Sequence, residues 1–140
     1  MADISVTAAK VQAVGTCGII RSKMAGATIT RGQTVYETTA GLVGLCDAND
    51  SGKEQFYGVA LQDVSSGQAV DCLVEGLITG YDLRGLDVGA LVYQSDTAGA
   101  AATAASGTKT VVIGKVTALS DNATTPTKVR EVRRTVTSTW

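Results

Sequence analysis

The chain has 140 residues, 12 Lys and Arg against 13 Asp and Glu, and no histidine. That length is enough for one domain with a core of its own, so metal or disulfide staples are not required. Near-balanced charge leaves no overall field toward nucleic acid or an anionic membrane, and the missing histidine removes Ser-His-Asp and Cys-His catalysis and most zinc sites.

The opening Met-Ala-Asp-Ile-Ser-Val has neither the basic nor the apolar stretch of a signal peptide, which points to synthesis in a reducing cytoplasm. Short alternating or apolar runs at 4–7 and 11–20 predict strands, so residues 1–24 are expected to be an N-terminal arm or first strands. Further strands are predicted at 33–38, 42–47, 56–62 and 68–74, then at 91–94, 110–118 and 129–137. Turn residues separate them, as in Ala48-Asn49-Asp50-Ser51-Gly52, and the chain holds 16 Gly but a single Pro, Pro126. Residues 98–105 are Ala-rich and the best rival for a helix. Gly99 inside and Gly107 after them favour a loop or a small-residue strand. No apolar run approaches the ~18 residues of a membrane-spanning helix.

The second half of the chain echoes the first. Gly32-Gln33-Thr34-Val35-Tyr36 recurs as Gly89-Ala90-Leu91-Val92-Tyr93, and Thr39-Ala40-Gly41 as Thr97-Ala98-Gly99. Ser51-Gly52-Lys53 is echoed in Ser106-Gly107-Thr108-Lys109, and Tyr57-Gly58-Val59 in Ile113-Gly114-Lys115. The four matches keep their order at near-constant offset. Each copy, 26–62 and 85–118, reads as a three-stranded meander with Gly32, Gly41, Gly58, Gly89, Gly99 and Gly114 as structural turns. The expected fold is all-β: a small β-sandwich or partly open, tulip-like β-barrel built from two related meanders, with extended terminal arms. The module is expected at 25–119.

Chemistry-bearing patterns are absent. Cys17, Cys46 and Cys72 are odd in number and lack CxxC spacing, so they form neither a disulfide framework nor a zinc site. Cys46 and Cys72 lie in apolar runs and are expected to be inert core thiols. Ser51-Gly52-Lys53-Glu54 lacks the earlier Gly and the Ser or Thr of a phosphate loop. Asp47-x-Asn49-x-Ser51-Gly52 starts like a calcium loop, but its twelfth position is Gly58; an Asx-type turn is the plainer reading. Gly76-Leu77-Ile78-Thr79-Gly80 lies between strands and opens no helix, so it is no dinucleotide fingerprint. No catalytic residue, cofactor or metal is expected, and no enzyme.

One charged feature has a shape: Lys128-Val129-Arg130-Glu131-Val132-Arg133-Arg134, within a basic strand or arm at 120–140. It is either a strand edge guarded by charge or an arm that meets an acidic partner, with Lys128, Arg130, Arg133, Arg134 and Trp140 as the partner-binding residues. Nucleic-acid binding would want interleaved aromatics, and only Trp140 is near.

The run Ala25-Gly26-Ala27-Thr28-Ile29-Thr30-Arg31-Gly32-Gln33-Thr34-Val35-Tyr36 resembles the signature of capsid decoration, or cement, proteins of tailed bacteriophages. So do Tyr57-Gly58-Val59-Ala60-Leu61, Ser66-Gly67-Gln68-Ala69-Val70, the block from Gly89 to Gly99, and the opening Ala2-Asp3-Ile4-Ser5-Val6-Thr7. The likeness covers residues 2 to 119 and stops before the basic segment. It implies a β-rich virion structural protein, made in the host cytoplasm, that forms a homotrimer and binds the major capsid protein on the outer capsid surface. A fibre component, or a receptor- or carbohydrate-binding module of a phage particle, is the alternative. Neither nucleic acid nor membrane is an expected partner.

Overall fold

The computed structural model describes residues 3–49, 52–53, 55–83, 85–104, 110–118 and 128–133, with only the backbone of Gly15, Thr16, Cys17 and Arg133. It is all-β: among the described residues nine strands and one 3-10 turn at Ala8–Lys10 make up the regular structure. The strands are β1 Ala13–Met24, β2 Thr34–Glu37, β3 Val43–Leu45, β4 Phe56–Ala60, β5 Ala69–Ile78, β6 Leu91–Gln94, β7 Ala101–Ala102, β8 Val112–Ala118 and β9 Lys128–Arg133. They form one antiparallel sheet in the order β3-β2-β4-β5-β9-β8-β6-β7, curled into a half-barrel, with β1 added on β5.

That order is a palindrome of the repeat. β2, β3, β4 and β5 of the first half correspond to β6, β7, β8 and β9 of the second, and β5 meets β9 in the middle. The correspondence reaches single hydrogen bonds. Gly32 N–H donates to Ala60 O and Ala60 N–H to Gln33 O; in the second copy Gly89 N–H donates to Val116 O and Val116 N–H to Ala90 O. Both copies carry a register shift at the same place, between Val35 and Tyr36 and between Val92 and Tyr93. Each shift inserts one extra residue into the partner strand, which turns side chains and increases local twist.

β5 holds the molecule together because both its edges are used. β1 runs along one edge from Ala13 opposite Ile78 to Met24 opposite Ala69. The other edge is shared: β4 takes Cys72 and Leu73, and β9 takes Glu75 to Ile78. The ends of the two repeats then interlock. Thr34 N–H donates to Gly99 O (3.0 Å), Gly99 N–H to Cys46 O (2.8 Å) and Ala48 N–H to Ser95 O (3.1 Å). Inside that seam the Thr34 hydroxyl donates to Gln94 Oε1 (2.6 Å) and Gln94 Nε2 donates to Cys46 O (2.8 Å), all fully buried. A buried amide with satisfied partners ties the two halves in one register.

The core has two parts. Val11, Phe56, Val59, Leu73, Ile78, Val92, Ile113, Val116 and Val132 belong to the larger, and Ile29, Val35, Val43, Tyr57, Val70, Cys72 and Val74 to the smaller. The bulge in β4 explains why Phe56 and Val59, three apart, share one cluster while Tyr57 and Ala60 share the other.

Several boundaries differ from expectation. Residues 4–7 form no strand; the segment is held by isolated bridges from Asp3 to Ala102 and from Val6 to Tyr81. β1 and β5 run on to Met24 and Ile78 because each supplies the other's backbone partners. The Ala-rich segment contains the small-residue strand β7, two residues long. The basic segment is corrected most. β9 is an inner strand between β5 and β8, so residues 128–133 belong to the sheet and are neither an arm nor an edge strand. Residues 120–127 and 134–140 lie outside the described residues.

Candidate interaction surface

Chain alternation on β9 sends Lys128, Arg130 and Val132 to one side, and Val132 is in the larger core. Arg130 therefore points inward and is fully buried. Its guanidinium lies over the Tyr81 ring, 4.7 Å from the centroid, and among the described residues none of its three nitrogens has a hydrogen-bond partner. The Tyr81 hydroxyl donates to Gly32 O at 2.6 Å. Burial pushes the Arg130 pKa down and the Tyr81 pKa up, since each ionised form is poorly solvated there. The expectation that Arg130 meets a partner is thus corrected: an inner strand offers it no surface.

Lys128 is exposed and donates from Nζ to Leu86 O at 2.6 Å. Arg133 pairs by backbone with Glu75, and its side chain, with Arg134 and Trp140, lies outside the described residues. The structure therefore brings Lys128 and Arg130 together on one strand but into different environments. Tyr81, the residue that contacts Arg130, carried no sequence signal, because the two are 49 positions apart and joined only by the sheet.

The turn glycines pair as the repeat requires. Gly32 and Gly89 have φ of +93° and +95°, a conformation that any Cβ disfavours. Gly58 and Gly114 sit at the two bulges, where a Cβ would come within 2.8 Å of Leu73 O and 1.8 Å of Glu131 O. Gly41 and Gly99 likewise match at +83° and +78°.

The surface is distinguished by β1. The β3 edge is covered by the chain itself, through Gly26 N–H to Val43 O, and the β7 edge through Ile4 N–H to Ala101 O. Among the described residues no strand pairs with the outer edge of β1. On it Ile19, Ile20 and Met24 are 43%, 51% and 45% exposed. The opposite face carries Lys23, which forms an ion pair with Glu37 and lies 5.4 Å from the Tyr57 ring centroid. A long strand edge with exposed apolar side chains and free backbone groups is a template for pairing.

Convergent reactive groups are missing from the described residues. No three His, Cys, Asp or Glu gather as metal ligands. A cleft of about 720 Å³, open to solvent, is lined by Ser5, Thr7, Lys10, Tyr81, Asp82 and Lys128 among others. Cys46 and Cys72 are buried and unbridged, and burial pushes the Cys72 thiol up to about 11, away from nucleophilic use. Asn49 N–H donates to Asp47 Oδ1 at 2.9 Å, the Asx turn expected there. No described helix is long and apolar enough to cross a membrane. Neither any family model nor any curated protein matches the sequence.

Proposed function

We propose that this chain is a non-enzymatic structural protein of a phage virion, a decoration protein that binds the outer surface of an assembled capsid as a homotrimer and stabilises it. The observation that carries this reading is the pairing of a two-repeat β scaffold with a strand edge, on β1, that is unpaired among the described residues and carries exposed Ile19, Ile20 and Met24. A shell binder needs such a surface in many copies. Modest affinity per copy suffices, because an oligomer engages several capsid sites together. Binding to assembled shell and not to free subunits then stabilises the shell by mass action. The sequence resemblance over residues 2–119 supports the major capsid protein as the partner. The rival, a carbohydrate-binding fibre module, would want exposed aromatics, and every aromatic among the described residues is buried or half-buried.

The test mixes the protein with undecorated phage shells and follows co-sedimentation, shell melting temperature and the cryo-EM map. Saturable binding at one class of surface site, with a higher shell melting temperature, is expected. Shells that neither retain the protein nor gain stability would refute the reading.

A further inference from the structure

From the cleft beside Tyr81 and the buried charge behind it, we infer that this end of the sheet binds a carboxylate-bearing peptide segment, held by Lys10 and Lys128 and drawn by the field of Arg130. The cleft is separate from the apolar edge of β1. Ile20 to Met24 pair with Leu73 to Ala69, whereas the cleft lies beyond Ile78, at the other end of β5.

Three chain segments build the cleft. The bridge from Val6 to Tyr81, Thr7 N–H donating to Gly80 O (2.8 Å) and Asp82 N–H donating to Ser5 O (2.9 Å) lay residues 5–7 antiparallel to 80–82. Ser5 and Thr7, two apart in an extended segment, fall on one side and both line the cleft. The Thr79 hydroxyl donates to Lys10 O at 2.9 Å, which fixes the backbone from which exposed Lys10 reaches the cleft. β9 adds Lys128, whose Nζ gives one N–H to Leu86 O and keeps two for a ligand. A volume of about 720 Å³, open to solvent, suits a short peptide segment better than a lone ion.

The electrostatics select the ligand. Arg130 follows Lys128 on the same side of β9 and is fully buried, its guanidinium 4.7 Å from the centroid of the Tyr81 ring that lines the cleft. Arginine keeps its proton, and among the described residues no nitrogen of this one has a hydrogen-bond partner. The burial that makes the charge costly to folding also carries its field into the cleft with little screening. Arg130 acts from behind Tyr81 without touching the ligand. With Lys10 and Lys128 it makes three cations against the single carboxylate of Asp82. A carboxylate answers that balance with one charge, whereas the second charge of a phosphate would be repelled by Asp82. Ser5 and Thr7 supply hydroxyl donors for its oxygens. A nucleic acid would want a free aromatic face and edge, and Tyr81 has its ring on Arg130 and its hydroxyl on Gly32 O.

The probe is a tetraglutamate peptide, acetylated and amidated, titrated calorimetrically into the full chain at low salt, with inorganic phosphate as a parallel arm. Saturable binding that weakens with added NaCl is expected. Lys10→Gln and Lys128→Gln should each weaken it about fivefold. Lys115→Gln, which removes an exposed charge on β8 outside the cleft, should leave it unchanged. Arg130→Met should weaken binding about tenfold while its urea midpoint rises, a combination that a purely structural arginine would not give. A peptide that does not bind overturns the inference, as do equal losses for Lys115→Gln and Lys128→Gln or undiminished binding by Arg130→Met. Phosphate binding tighter than the peptide would also overturn it, and would point to a nucleic-acid backbone. No shell enters these measurements, so shell binding can fail without them and they can fail without it.

Discussion

Replacing Arg130 by Met should stabilise the protein. The guanidinium is fully buried, its nitrogens make no hydrogen bond among the described residues, and the Tyr81 ring lies against its charge. Taking an ion out of water costs several kcal/mol even after relaxation, and a desolvated cation–π contact returns about 2 kcal/mol. Met fills a similar path through the core without a charge, so a net gain of about 1–4 kcal/mol is expected. With a urea m-value of about 2 kcal/mol/M, a 2 kcal/mol gain moves the unfolding midpoint up by about 1 M. Arg130→Ala removes the same charge but leaves a cavity, and should be about 2 kcal/mol less stable than Arg130→Met. Combining Arg130→Met with Tyr81→Leu in a double-mutant cycle isolates the ring contact, expected at about 1–2 kcal/mol. Equilibrium urea unfolding by circular dichroism measures all of these. A lower midpoint for Arg130→Met would refute the reasoning, since it would mean that the charge is better satisfied than the geometry shows.

The paired glycines separate two costs. Gly89→Ala meets no atom within 4 Å and should lose only the strain of a positive φ, about 1 kcal/mol; Gly32→Ala should lose more, because its Cβ falls 2.8 Å from Val6 Cγ1 and 3.0 Å from Val11 Cγ2. Equal losses in thermal unfolding would argue against that split. Gly58→Ala should cost about 1–3 kcal/mol and Gly114→Ala more, as its Cβ would sit 1.8 Å from Glu131 O and must push β8 from β9; expression and melting temperature rank them. Alkali should also destabilise the fold through Cys72. Its folded pKa is about 11 against about 8.5 unfolded, so the neutral thiol's contribution is full below pH 8.5 and lost as pH rises toward 11. About 1 kcal/mol should be gone by pH 9.5, and Cys72→Ala should flatten that part of the curve of stability against pH.

The sequence by itself determined the class of fold and its internal symmetry. Dense β-branched runs between Gly, Asp and Ser turns specify short strands locally, and the recurrence of Gly32 to Tyr36 at Gly89 to Tyr93 marks equivalent turns. A positive φ is a demand that the neighbouring residues already impose. What only the tertiary structure decided was which strands became neighbours and which faces were buried. The equivalents of Tyr57 and Ala60 are Ile113 and Val116, yet Tyr57 and Ala60 lie in the smaller core cluster and their counterparts in the larger. Arg130 occupies the register position that Cys72 holds in the first repeat, opposite Val116 as Cys72 is opposite Ala60. Period-2 patterning places such a residue on a strand but does not say whether the strand lies at an edge or inside. That depends on β5, whose second edge is divided between β4 and β9, a pairing between residues far apart in the chain. β1 takes the remaining edge of β5, and among the described residues no strand pairs with its far side.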